Sequence, residues 1–243
     1  DRHMTILLTP FMSCSAKIPI YALFAAAFFR RPALALFFLY TASIAVGILA
    51  ALVLKKTLFR AAASPFVMEL PPYRLPALRT TVQYIRQRIG DFVRKAFSVI
   101  LFASLVVWFL QTFDFRLRLV ASPADSMLAD IGGALSVLFY PLGWRDWRLT
   151  AALITGLTAK EAVLSTLAVL TGAETGVAVS ALFPSVPAAA AFCVFVLLYP
   201  PCAAAMAAVR RETSGRFALG LFAFQTAVAY LCAMLVFRVG LWL

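Results

Sequence analysis

From Leu149 to Gly172 the chain reads LTAALITGLTAKEAVLSTLAVLTG, an apolar run long enough to cross a bilayer with a lysine and a glutamate at its middle. Burying charge at that depth is costly, so intramembrane Lys160 and Glu161 mark either a structural break or a functional position. Gly156 suits a helix end, and Thr158 followed three residues on by Glu161 matches a capping box. Together they predict two half-helices meeting at membrane depth. Such a break frees backbone N–H and C=O groups that lipid cannot satisfy, so it survives only inside protein or beside a polar cavity.

The rest of the chain agrees with a membrane setting. Hydrophobic residues make up 63% of the 243 and charged residues only 13%, which excludes a domain bathed in water on all sides. The net charge of +12 comes from Arg and Lys clusters lying between apolar runs. Positive-inside topology and lipid headgroups account for them, and nucleic acid is not the expected partner. The expected fold is all-α: a polytopic transmembrane helical bundle with interrupted or re-entrant helices.

Ala33 to Leu54 is an unbroken apolar run and predicts a full crossing. Before it, Thr9-Pro10-Phe11-Met12-Ser13-Cys14-Ser15-Ala16-Lys17-Ile18-Pro19 combines two prolines with small polar residues and predicts a second interrupted segment. Residues 55–95 carry nine basic residues against Glu69 and Asp91, placing that loop in the cytoplasm. Within it Leu78, Val82, Ile85, Ile89 and Phe92 recur at helical spacing, an amphipathic helix expected to run on into a crossing at about 96–113. The charge-balanced stretch 114–148 is expected outside as a loop. A third interruption falls at Tyr199-Pro200-Pro201-Cys202 within the span Ala188 to Ala208, and Phe217 to Phe237 forms the last span. Three crossings between the basic loops 55–95 and 210–216 would leave them on opposite sides. Either Leu128 to Leu142 also enters the membrane or one broken segment is re-entrant.

Candidate chemistry is sparse. Cys14 and Cys202 each lie beside proline in an interrupted segment, where a thiol can serve a borderline-soft divalent metal, whereas Cys193 and Cys232 read as packing residues. Met12 could add a thioether, and Glu161 is either a cap or an ion contact. With His3 the only histidine, a His-rich zinc site or a His-dependent triad is not expected. No P-loop is present. No enzyme is expected of this chain, and no bound cofactor.

Four motifs in order then carry a resemblance: Met4-Thr5-Ile6-Leu7-Leu8-Thr9-Pro10-Phe11-Met12-Ser13-Cys14 through Tyr21, Glu69-Leu70-Pro71-Pro72-Tyr73-Arg74, Gly156-Leu157-Thr158-Ala159-Lys160-Glu161, and Tyr199-Pro200-Pro201-Cys202 followed by Arg210-Arg211-Glu212-Thr213. The chain resembles the membrane domain of FeoB-type ferrous iron transporters. The resemblance implies a bacterial inner-membrane, multi-pass permease for Fe2+, gated by a GTP- and Mg2+-binding G domain upstream in the same polypeptide. A small cytoplasmic FeoA-like protein and a second copy of the chain are the further partners it implies. Residues 1–54 would hold the end of a first Gate region and the first full span, 55–95 the cytoplasmic basic segment, and 96–243 the second Gate region. Carried over by position, Cys14 and Cys202 match the family's pore cysteines and Glu161 its Ala-Lys-Glu acid, all as transient Fe2+ contacts. Lys17 stands where the family usually has arginine, which keeps the charge and loses a planar bidentate donor. The alternative is a Gate protein that moves no iron, a nucleoside carrier or a sporulation-type structural protein.

Overall fold

A computed structural model of the chain describes residues 2–57, 77–172 and 179–242. The Glu69-Leu70-Pro71-Pro72-Tyr73-Arg74 motif lies outside the described residues. Ten helices are used below: α1 (Arg2–Leu8), α2 (Ile18–Phe28), α3 (Pro32–Thr57), α4 (Leu78–Thr112), α5 (Met127–Phe139), α6 (Trp147–Gly156), α7 (Ala162–Thr171), α8 (Val186–Leu198), α9 (Ala203–Glu212) and α10 (Gly215–Trp242). Among the described residues the only β pairing is an isolated antiparallel bridge, Phe113 to Leu119. The fold is the expected all-α membrane bundle.

Four helical stretches are long and apolar enough to cross a bilayer: Met4–Phe28, Pro32–Thr57, Val186–Glu212 and Gly215–Trp242. Helix α3 has 26 residues and so measures about 39 Å, against a hydrocarbon core of about 30 Å. It leaves Phe37, Phe38, Ile48, Leu49, Leu52 and Val53 exposed, a surface suited to lipid rather than water. The stretches Met4–Phe28 and Val186–Glu212 are both broken, the first by two short 3-10 turns at Thr9–Phe11 and Ser15–Lys17, the second between Leu198 and Ala203. The amphipathic segment and the apolar stretch after it, Phe97–Thr112, form one helix, α4, of 35 residues.

The two ends of the bundle are distinct. At one end Leu7, Leu54 and Leu221 pack with Met206, Val209 and Phe217, bringing together the end of α1 and the segments next to both basic loops. At the other, Phe183 packs edge-on against Phe24 and Phe28, Phe24 stacks on Phe192, and Pro187 abuts Gly240. The basic last turns of α3 (Lys55, Lys56) and α9 (Arg210, Arg211) therefore share an end, the one that the positive-inside rule assigns to the cytoplasm. Helices α6 and α7 lie side by side, joined by a Thr155–Thr166 hydroxyl pair at 2.9 Å, and the chain after α7 reaches Phe183 at the far end. Helices α6 and α7 thus form a hairpin, and a segment that returns to the side it entered from leaves the two basic loops on one side.

Two sequence expectations are corrected. The stretch 114–148 is not all loop, because it contains α5, which forms with α6 a pair bent by 103° about Gly143 and its neighbours. Gly143 has φ +83°, and a Cβ there would meet the Phe237 ring at 2.5 Å. Beside it the Trp144 indole N–H donates to Ala188 O at 2.9 Å, pinning this corner to the start of α8. The second correction concerns Thr158. Its hydroxyl donates back to Thr155 O at 2.7 Å and so belongs to the end of α6, while Glu161 sits at the N-cap of α7 without a side-chain capping bond. Ending α6 consumes three residues in tight turns, and α7 starts at Ala162, three residues later than a Thr158 capping box requires.

Candidate ion pathway

The chemistry of the site begins with two missing N–H groups. In a continuous helix Val196 O and Leu197 O would accept from residues 200 and 201, but both are proline and have no N–H to give. The orphaned Leu197 O accepts instead from the Lys17 ammonium at 2.6 Å, supplied by the broken stretch between α1 and α2. Pro200 O accepts from the Lys160 ammonium at 2.6 Å, supplied by the tip of the α6–α7 hairpin. In return Leu157 O at that tip accepts from Ala203 N, the first backbone amide of α9, at 2.7 Å. Each break satisfies the polar backbone of another, which is how three interruptions coexist at membrane depth.

Both lysines are almost fully buried, Lys17 at 2% and Lys160 at 3% of their surface exposed. Neither is paired with an acidic side chain among the described residues. The Lys160 nitrogen lies 3.0 Å from the centroid of the Tyr199 ring, whose quadrupole attracts a cation. The Tyr199 hydroxyl reaches the Cα of Gly156, where any Cβ would collide with it and with Val163. The Tyr21 and Tyr199 hydroxyls and both polar atoms of Gln225 are buried without a hydrogen-bond partner among the described residues.

The breaks enclose a cavity of about 390 Å³. Cys14 and Cys202 line it together with Met12, Lys17, Lys160 and Glu212. Cys14 precedes the turn Ser15–Lys17 and Cys202 is the N-cap of α9, so each thiol stands at the start of the second half of a broken span. One wall is the α9 face Cys202, Ala205, Ala208, Val209 and Glu212, spaced at the helical period, and another is Ile6, Thr9 and Pro10. These walls run from the breaks toward the basic end. On the opposite side Phe24, Phe183, Phe192 and Trp144 form a tight aromatic core. The cavity is a half-channel toward the basic end, floored by two thiols and two ammoniums.

Of the residues singled out in the sequence, Cys14, Cys202 and Met12 therefore meet at one cavity. Glu161 is exposed and does not line it. Cys193 is buried in the core with Cys232 packed against it. Among the described residues no three His, Cys, Asp or Glu side chains gather as a metal cage. Glu212 was hidden in the sequence by its basic neighbours Arg210 and Arg211, and only the helical repeat from Cys202 could have placed it on the cavity wall.

This is the architecture of a polytopic helical membrane protein whose interrupted spans converge on one cavity lined by two thiols and two lysines. The family described as Gate, nucleoside recognition, matches residues 93–216, and that described as Ferrous iron transport protein B C terminus matches residues 36–88. The chain belongs to the Gate family. It is 36% identical over 250 residues to a Fe(2+) transporter FeoB of Methanocaldococcus jannaschii, covering 99% of this chain and 37% of that protein. It is 34% identical over 244 residues to a Fe(2+) transporter FeoB of Staphylococcus aureus, covering 99% of this chain and 37% of that protein. A Fe(2+) transport protein A/Fe(2+) transporter FeoB fusion protein of Porphyromonas gingivalis is 32% identical over 296 residues, covering 99% and 35%. The chain thus spans little more than a third of the length of the relatives it matches. No solved structure matches it.

Proposed function

We propose that the chain forms the transmembrane pathway of a ferrous iron importer of the bacterial inner membrane, with Cys14 and Cys202 as exchangeable Fe2+ contacts. The observation that carries this reading is the convergence of two thiols, from two different broken spans, on one cavity open toward the basic end. A permeation site needs few ligands of moderate strength, because the ion must leave as readily as it arrives. Two thiols with Met12 at the rim suit a borderline-soft divalent ion without trapping it. The names of the relatives supply the cargo, and the fusion protein from Porphyromonas gingivalis supports a FeoA-like partner. GTP hydrolysis belongs, in this reading, to a G domain in the same polypeptide, and chemistry in this chain is limited to passage of the ion.

Fe2+ uptake by cells expressing the full-length polypeptide tests the reading. Cys14→Ser and Cys202→Ser are each expected to lower uptake by about tenfold or more at equal expression, since a hard hydroxyl replaces a soft thiolate. Uptake at the unaltered rate by both variants would remove the thiols from the pathway.

A further inference from the structure

Two buried ammoniums are an odd lining for a cavity that passes cations. They repel the cargo, and taking them out of water is costly before compensation. A neutral donor such as glutamine could satisfy Leu197 O or Pro200 O at lower cost. Two further facts bear on what the charge is for. The carbonyls they hold are among those released where Pro200 and Pro201 interrupt the span, oxygens of the kind that replace an ion's hydration shell in selective pores. Both ammoniums also line the same cavity as Cys14 and Cys202, so an ion at the thiols stands beside them.

We propose that Leu197 O and Pro200 O are cation-coordinating oxygens of the pathway, held in the resting state by the tethered ammoniums of Lys17 and Lys160, which a permeating divalent cation displaces. The proposal rests on the iron-pathway reading and adds the oxygen ligands and the plug to it. Lys17 and Lys160 come from two different broken segments and close on one break, Lys17 at the last turn of α8 and Lys160 at Pro200. Lys160 lies against the Tyr199 ring while it donates to Pro200 O, so on giving up the carbonyl it keeps an aromatic face that stabilises its charge. Withdrawal of the two side chains, which themselves line the cavity with Cys14 and Cys202, opens the two oxygens to an ion held at the thiols. That mixed set is selective for a borderline metal over the hard Mg2+ and Ca2+ ions, which prefer oxygen alone.

The test uses the full-length polypeptide in proteoliposomes without nucleotide, measuring passive entry of Fe2+, Mn2+ and Na+. Lys160→Gln and Lys17→Gln keep a hydrogen-bond donor to the carbonyl and remove the charge. Each is expected to raise the passive leak by about tenfold or more, while Lys160→Arg stays as tight as the parent. A purely structural lysine predicts the reverse: folded Gln variants no leakier than the parent, and that result overturns the plug. Should the Gln variants not fold, the parent protein decides the question through the Nζ resonances of isotope-labelled lysine. A shift of the two buried resonances on adding Fe2+ supports displacement, and unmoved resonances at saturating Fe2+ overturn it. A leak of Mn2+ and Na+ that excludes Fe2+ would keep the plug and overturn the iron reading. Normal Fe2+ uptake by the parent with tight Gln variants would do the opposite.

Discussion

The Lys160 ammonium nitrogen lies 3.0 Å from the centroid of the Tyr199 ring while donating to Pro200 O, so one side chain from the α6–α7 hairpin holds two consecutive residues of the α8–α9 break. The tyrosine in turn needs Gly156, at the end of α6, to have no side chain. Hairpin and break are therefore interlocked in both directions, and small changes on either side have predictable costs.

Gly156→Ala is the sharpest such change. Alanine normally gains about 1 kcal/mol over glycine in a helix, but here the added Cβ collides with the Tyr199 hydroxyl and with Val163, both within a buried cluster. Overpacking costs about 1–3 kcal/mol, so a net loss of thermal stability is expected in detergent melting. A melting temperature equal to or above that of the parent would show that Tyr199 can move aside.

Gln225 is fully buried in α10, and neither amide atom has a hydrogen-bond partner among the described residues. An unsatisfied buried polar group costs about 1–3 kcal/mol, so Gln225→Leu is expected to leave stability unchanged or raise it. Marked destabilisation, read by the same melting measurement, would mean that the amide has a partner in the assembled membrane protein.

Sidedness can be read by labelling engineered cysteines with a membrane-impermeant reagent. Thr57→Cys and Ser214→Cys are expected to label from one face, and Arg31→Cys and Val186→Cys from the other. If Val186→Cys labelled with Thr57→Cys, the α6–α7 segment would be a crossing and not a hairpin.

Glu161→Gln separates neighbourhood from contact. The carboxylate is exposed, makes no capping bond and lies off the cavity wall. Exposed substitutions are usually worth no more than about 0.5 kcal/mol, roughly a twofold effect. Fe2+ uptake by this variant is accordingly expected within about twofold of the parent, in contrast to the Cys14→Ser and Cys202→Ser variants. A loss as deep as theirs would return Glu161 to the list of ion contacts.

The apolar run that became α3 and the prolines that became the α8–α9 break were legible because each acts locally: length against bilayer thickness in one case, a missing N–H in the other. Cys14 and Cys202 could be paired by their shared context beside proline, without any knowledge of distance. Lys160 shows where legibility stopped. Its charge announced that a partner must exist, yet the partner is a backbone carbonyl 40 residues away, and carbonyls carry no sequence signature. Thr158 failed for a related reason, since a hydroxyl can accept from the following turn or donate to the preceding one, and only the path of the backbone chooses. The hairpin rests on facing threonines 11 residues apart, Thr155 and Thr166, a pairing that a crossing of the same composition would not reveal.

Helix α4 carries a mechanical consequence. Its 35 residues make a rod about 52 Å long, with Gly90 the only residue in it that commonly interrupts a helix. It packs on α9, the helix that begins at Cys202 and walls the cavity down to Glu212. Its first turns carry Leu78, Val82, Ile85 and Ile89 as an uncovered stripe. A tilt of about 5° about one end of such a rod sweeps the other through roughly 4–5 Å, several times the slack of a hydrogen bond. Force applied to that stripe from the aqueous side would travel as leverage along α4 to the helix that carries Cys202.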